Sequence, residues 1–196
     1  MDEFGGAGSD TVAAQKAAIV AALESGLPPG IAFVGGHPLA GSEKRGPQYA
    51  DADLFRDRVT VLTRTARTDP QALEALTHFW RSLCSRVRVM DPVEHDQSLA
   101  LTSHLPHLVA SALAGILPPE IQDLTASGFK DTTRIAAGDA SVWTGIFAQN
   151  RDAVLDALER FSTRLAEYRH ALETGDRPAL DRLWAQAKKV RDALGN

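Results

Sequence analysis

Residues 35–46 read GGHPLAGSEKRG, and the reading of this stretch decides the fold. The four residues Ile31, Ala32, Phe33 and Val34 ahead of Gly35 are apolar and partly β-branched, which predicts a short sheet strand ending at the glycine pair. A loop that leaves the end of a strand is rigidly placed and free to touch a ligand, as in α/β proteins generally. His37, fenced by Gly35, Gly36 and Pro38, is therefore a candidate catalytic residue. A neutral imidazole there accepts a proton from a substrate hydroxyl if its pKa lies near the working pH; the alternative is a loop histidine that caps backbone groups. Ser42, Glu43 and Lys44 offer polar contacts to the same ligand, or form an ordinary solvated turn.

The composition excludes several classes. The 196 residues are 44% hydrophobic, enough for one substantial core or two modest ones. Lys and Arg number 21 against 25 Asp and Glu, a formal charge of −4, and no basic block is present, so nucleic acid is not an expected partner. Cys84 is the single cysteine; it falls in an apolar helical pattern and reads as a core thiol in a reducing compartment. The glycine-rich, acidic opening MDEFGGAGSD has no secretory pattern, and the longest apolar runs fall short of the roughly 20 residues a bilayer span requires. A cytoplasmic protein without a membrane span is expected.

Along the first ninety residues helix and strand alternate. Thr11 to Glu24 carries a helical stripe, Arg58 to Thr63 alternates as a strand, Asp69-Pro70 opens a helix to about Cys84, and Val87 to Met90 reads as another strand. From Asp91-Pro92 onward the pattern is helical only: Val93 to Leu117 as one long segment, then helices opening at Asp139, Asn150 and Asp176. The boundary is placed near Asp91, giving an α/β domain over 1–90 and an all-α domain over 91–196.

Three further constellations carry polar groups into apolar surroundings. Ser103-His104-Leu105-Pro106-His107 interrupts an apolar helix, where Pro106 predicts a kink that frees the Thr102 carbonyl. A metal site from His95, His104 and His107 lacks an acid or cysteine at familiar ligand spacing, so no metal is expected. In Gly128 to Arg134, a helix beginning there sets Lys130 and Arg134 four residues apart on one face, two cations able to clamp a dianion; the alternative is a solvated helix start with Asp131 as ion-pair partner. Trp143 reads as a core or interface residue.

Taken in order, GGHPLAGSEKRG, SHLPH, GFKDTTRIA and VWTGIFAQN resemble the prephenate/arogenate dehydrogenase family of tyrosine biosynthesis, over about residues 11 to 175. The resemblance implies the C-terminal part of a Rossmann-like dinucleotide-binding α/β domain followed by an all-α dimerisation domain, and a homodimer formed through the helical part. It implies oxidative decarboxylation of prephenate or arogenate, with hydride transfer to NAD or NADP. It assigns the hydrogen bond with the ring hydroxyl to His37 and a substrate carboxylate to Arg134. His107 would line the pocket, Ser42 and Glu43 match polar positions after GGHP, and Lys130, Asp131 and Trp143 match positions near the pocket or across the dimer. The family's opening strand, GxGxxG-type turn and helix are missing, and alignment on Lys16 puts Ala14 where a family serine is expected. A truncated enzyme with a weakly stable first domain is the expectation; the alternative is a non-catalytic dimeric ligand-binding module derived from the same family.

Overall fold

The computed structural model describes residues 16–40 and 47–195; Ser42, Glu43 and Lys44 lie outside the described residues, as does Ala14. The first element is helix α1 (Ala17–Gly26). A three-stranded sheet follows, with strands β1 (Gly36–Pro38), β2 (Val59–Thr63) and β3 (Arg86–Met90) in that spatial order. β2 is central, and Thr60, Val61, Leu62 and Thr63 are each at most 2% exposed, as befits a strand covered on both faces.

The strand expected at Ile31–Val34 forms instead at Gly36–Pro38, antiparallel to β2, with His37 opposite Val61. Hydrogen bonding sets this register. Thr63 N–H donates to the Gly35 carbonyl at 2.8 Å and Leu39 N–H to the Val59 carbonyl at 2.7 Å, so the segment facing β2 is the one that carries the glycines. Ile31 is 57% exposed and stays outside the ladder. His37 is thus a strand residue, not the first residue of a loop.

β2 and β3 are parallel, joined across helix α2 (Pro70–Ser82). Asp69 caps that helix by accepting from Ala72 N–H at 2.8 Å, and Pro70 fills a first-turn position that needs no donor. α2 ends before Cys84, which has φ of 60° and is exposed. The core-thiol reading is therefore corrected: the chain uses Cys84 to turn left-handed between helix and β3, which points its side chain outward.

After Met90 there is no further strand among the described residues. Asp91 caps α3 (Pro92–Leu99) through Val93 N–H at 2.8 Å. The single helix expected from Val93 to Leu117 is broken by a π-turn, Ala100–His104, before α4 (Leu105–Gly115) resumes. Leu105 N–H reaches five residues back to the Ala100 carbonyl, directly ahead of Pro106, which has no N–H to continue the regular pattern. Helix α5 (Ser127–Thr133) ends where the 3-10 turn Arg134–Ala137 begins. Lys130 and Arg134 consequently do not share one regular α-helical face. α6 (Ala140–Gln149), α7 (Arg151–Thr174) and α8 (Arg177–Ala193) complete the chain.

Two compact units divide between Val154 and Leu155. The core of the first collects Val20, Val61, Leu62, Met90, Leu99, Ala100, Ala110 and Ile146. In the second, Asp176 caps α8 through Ala179 N–H at 2.9 Å, and Leu165, Leu172, Trp184 and Val190 are 57%, 67%, 72% and 64% exposed.

Gly35 is buried, and a Cβ on it would collide with Thr63 Oγ1. Gly35→Ala is expected to destabilise the protein by about 1–3 kcal/mol through overpacking, read as a lower midpoint in urea unfolding; an unchanged midpoint would contradict this packing.

Candidate active site

The site begins with a carboxylate. Asp96, on α3 and 5% exposed, accepts from the backbone N–H of Lys16 at 2.7 Å and of Ala17 at 2.9 Å. Its Oδ1 also accepts from His95 Nδ1 at 2.8 Å. Because a carboxylate only accepts, His95 carries its proton on Nδ1, which leaves Nε2 as an acceptor when the ring is neutral. That nitrogen stands 2.9 Å from His37 Nδ1, so His37 donates there. One nitrogen of His37, Nε2, is left as an acceptor for a ligand. The chain Asp96–His95–His37 therefore fixes both tautomers from its acidic end.

Burial, followed by the neighbouring His95, Lys16 and His104, pushes the His37 pKa down to about 3, against the opposing pull of Asp96. This lies well below the working range assumed from sequence. The consequence is a histidine that is a free base at neutral pH. For Asp96, burial acts to raise the pKa, but the His95 hydrogen bond and the two backbone N–H groups outweigh it, and the carboxyl lies below its ordinary value. Burial lowers the Lys16 pKa, and Asp96 partly offsets that effect.

A second branch leaves the same residue. Asn150 Nδ2 donates to the Asp96 backbone carbonyl at 2.8 Å and lies 3.2 Å from His104 Nδ1. His104 is 1% exposed, and burial lowers its pKa to about 4. The Trp143 ring meets His104 edge-on at 6.4 Å and stacks on His107 at 3.5 Å. Gly138 makes room for that indole, since a Cβ there would stand 2.5 Å from Nε1. His107 Nδ1 donates to the Ser103 carbonyl at 2.9 Å, one residue beyond the Thr102 carbonyl that Pro106 is expected to free.

The structure thus brings His37, His107 and Trp143 into one connected set with His95, Asp96, His104 and Asn150. Arg134 is exposed, in a turn packed against α4, the helix that carries His107. Lys130 and Asp131 are exposed on α5. Ser42 and Glu43 lie outside the described residues. Sequence reasoning missed Asp96 and the role of Asn150, took His95 only as a potential metal ligand, and singled out His104 as a polar group in an apolar helix without naming its partner. A signal was present: His95 and Asp96 lie four residues before Leu99 and Ala100, on the buried stripe of one helix, where polar side chains need partners.

Among the described residues, three helix N-termini of the α/β half are met by a carboxylate. Asp96 caps α1, Asp69 caps α2 and Asp91 caps α3. A pyrophosphate would meet a carboxylate at each of them, so these three termini provide no dinucleotide cradle.

A short mixed sheet leading into helices, with an acid-oriented histidine pair near their junction, makes this an α/β-to-helical protein with a polar cluster built on histidines. Comparison with known proteins makes this specific. Residues 10–89 match the nucleotide-binding domain of prephenate dehydrogenase, and residues 91–186 match its dimerization domain. Cyclohexadienyl dehydrogenase of Zymomonas mobilis is 35% identical over 186 residues, covering 91% of this chain and 63% of that protein. The solved structure of Synechocystis arogenate dehydrogenase superposes with a TM-score of 0.82 at 32% identity, over 93% of this chain and 67% of that one. Aquifex aeolicus prephenate dehydrogenase, solved with hydroxyphenyl propionate and NAD+, gives 0.74 at 33% identity, over 82% of this chain and 59% of that one. The chain belongs to the prephenate/arogenate dehydrogenase family. It spans a little under two thirds of the length of its Zymomonas relative.

Acid should unfold this protein early. As pH falls through 6.5, the unfolded chain protonates His37 and His104, while the folded chain resists until about 3 and about 4. Stability is therefore expected to fall between pH 7 and pH 5, by roughly 1.4 kcal/mol per pH unit for each fully neutral-held histidine. Urea melts across that window check the slope. A stability independent of pH there would contradict the assignment.

Proposed function

We propose that the chain carries the substrate-handling residues of a prephenate or arogenate dehydrogenase of tyrosine biosynthesis, an oxidative decarboxylation with NAD or NADP as hydride acceptor. One observation supports this reading above the others: the Asp96–His95–His37 chain leaves His37 Nε2 as a neutral acceptor. When the carbinol carbon loses its hydride, the ring hydroxyl becomes strongly acidic, so even a base of depressed pKa can take the proton. Positive charge on His37 is then shared through His95 with Asp96. The bond from the ring to its carboxylate breaks, its electrons complete the aromatic ring, and carbon dioxide departs.

Arg134 is the carboxylate partner in this reading, with Lys130 as a second cation, Asp131 beside it, and Ser42 and Glu43 as further polar contacts. His107 and the Trp143 ring stacked on it supply a flat wall to the pocket. A homodimer through the helical residues is supported by the exposed Leu165, Leu172, Trp184 and Val190. The single cysteine and the balanced charge support a cytoplasmic setting.

The second reading, a dimeric ligand-binding module without turnover, is favoured by the carboxylate-capped N-termini of α1, α2 and α3. Two measurements separate the readings: nicotinamide absorbance after mixing the chain with prephenate and NAD or NADP, and calorimetric binding of hydroxyphenyl propionate. The enzyme reading expects turnover that His37→Asn lowers about 100- to 10,000-fold, with folding unchanged. Binding without turnover would establish the module. Neither binding nor turnover in a folded chain would overturn both.

A further inference from the structure

The structure contains a second device that orients a histidine, and nothing in the reaction described above uses it. Asn150 closes α6 and is 6% exposed. An amide nitrogen and an amide oxygen are often interchangeable by eye, but here the partner decides: the Asp96 backbone carbonyl can only accept, so the atom 2.8 Å from it is the nitrogen. The second hydrogen of that same nitrogen is directed at His104 Nδ1, 3.2 Å away. A ring nitrogen that accepts a hydrogen bond carries no proton. His104 must therefore hold its proton on Nε2.

His37 is fixed the other way. Its Nδ1 donates to His95, so its Nε2 accepts. Both orientations originate at Asp96, one from its carboxylate through His95 and the other from its backbone carbonyl through Asn150.

We propose that Asn150 is a positioning residue that locks His104 as the Nε2–H tautomer, so that His37 and His104 present one accepting and one donating ring nitrogen. Such a pair matches a ligand group that both gives and takes a hydrogen bond, which is the chemistry of a hydroxyl. The tautomer assignment is independent of the proposed reaction; the hydroxyl preference rests on it.

Long-range proton–nitrogen NMR of the 15N-labelled full chain at pH 7 reads which ring nitrogen of each histidine is protonated. The expected wild-type result is His104 protonated on Nε2 and His37 on Nδ1. Asn150→Asp replaces the donor with a carboxylate and is expected to transfer the His104 proton to Nδ1, a switch that a merely structural residue would not cause. Asn150→Leu, similar in size, is expected to leave a mixture of the two tautomers. Wild-type His104 protonated on Nδ1 would overturn the proposal even if neither variant folds, and so would a folded Asn150→Asp with the proton still on Nε2. With the same samples, hydroxyphenyl propionate is expected to bind the wild-type chain at least 10-fold more tightly than phenylpropionate, which lacks the ring hydroxyl. Asn150→Asp is expected to reduce that preference. Equal binding of the two probes by the wild-type chain, with the tautomers as expected, would remove the hydroxyl assignment and leave the role of Asn150 intact.

Discussion

A buried carboxylate that accepts three N–H groups holds this structure together at its most consequential point. Without partners, burying ionised Asp96 would be prohibitive. The N-terminus of α1 provides two backbone donors and His95 the third. Hydrogen bonds to charged groups contribute on the order of 1.5–3 kcal/mol each, and two of the three tie the start of α1 to α3. The same residue lies in the stretch that matches the dimerization domain, while its backbone donors Lys16 and Ala17 lie in the stretch that matches the nucleotide-binding domain.

The arrangement has a chemical consequence because each partner in turn has only one role available. A carboxylate cannot donate, so His95 must, and His37 must donate to His95. The acceptor nitrogen that results on His37 is dictated by hydrogen-bond logic, independent of any ligand. Burial keeps that nitrogen unprotonated at neutral pH, although it also makes the base weak. Weakness is tolerable only if the proton it receives becomes acidic during the reaction, as a hydroxyl does when hydride leaves its carbon. The depressed pKa thus suits oxidation better than deprotonation of an unactivated alcohol.

Much of the fold could be read from the sequence, because its signals were local. Asp69-Pro70 and Asp91-Pro92 mark the helix starts at which the structure places caps, and the alternation over Arg58–Thr63 marks a strand, although the structure buries it on both faces. The misreadings came from non-local facts. Ile31–Val34 looks like a strand by composition, but β2 bonds Gly35 and Leu39 instead, a choice no local pattern reveals. Cys84 looks like a helical core residue until the left-handed turn into β3 is known. In the site, His37 and the SHLPH histidines could be singled out because they are unusual in their context. Asp96 was harder to single out: its spacing to buried Ala100 is a signal, but the backbone groups it binds lie about 80 residues earlier, where no local pattern points to them.

The most direct test of the account is the NMR titration of His37 in the wild-type chain between pH 4.5 and pH 8. A ring held neutral by burial and by its place in the Asp96–His95 chain should show no titration across that range, with its proton on Nδ1 throughout. A midpoint near 6.5, or a proton on Nε2 at neutral pH, would mean that the hydrogen-bond chain does not govern this histidine, and the proposed base would lose its physical foundation.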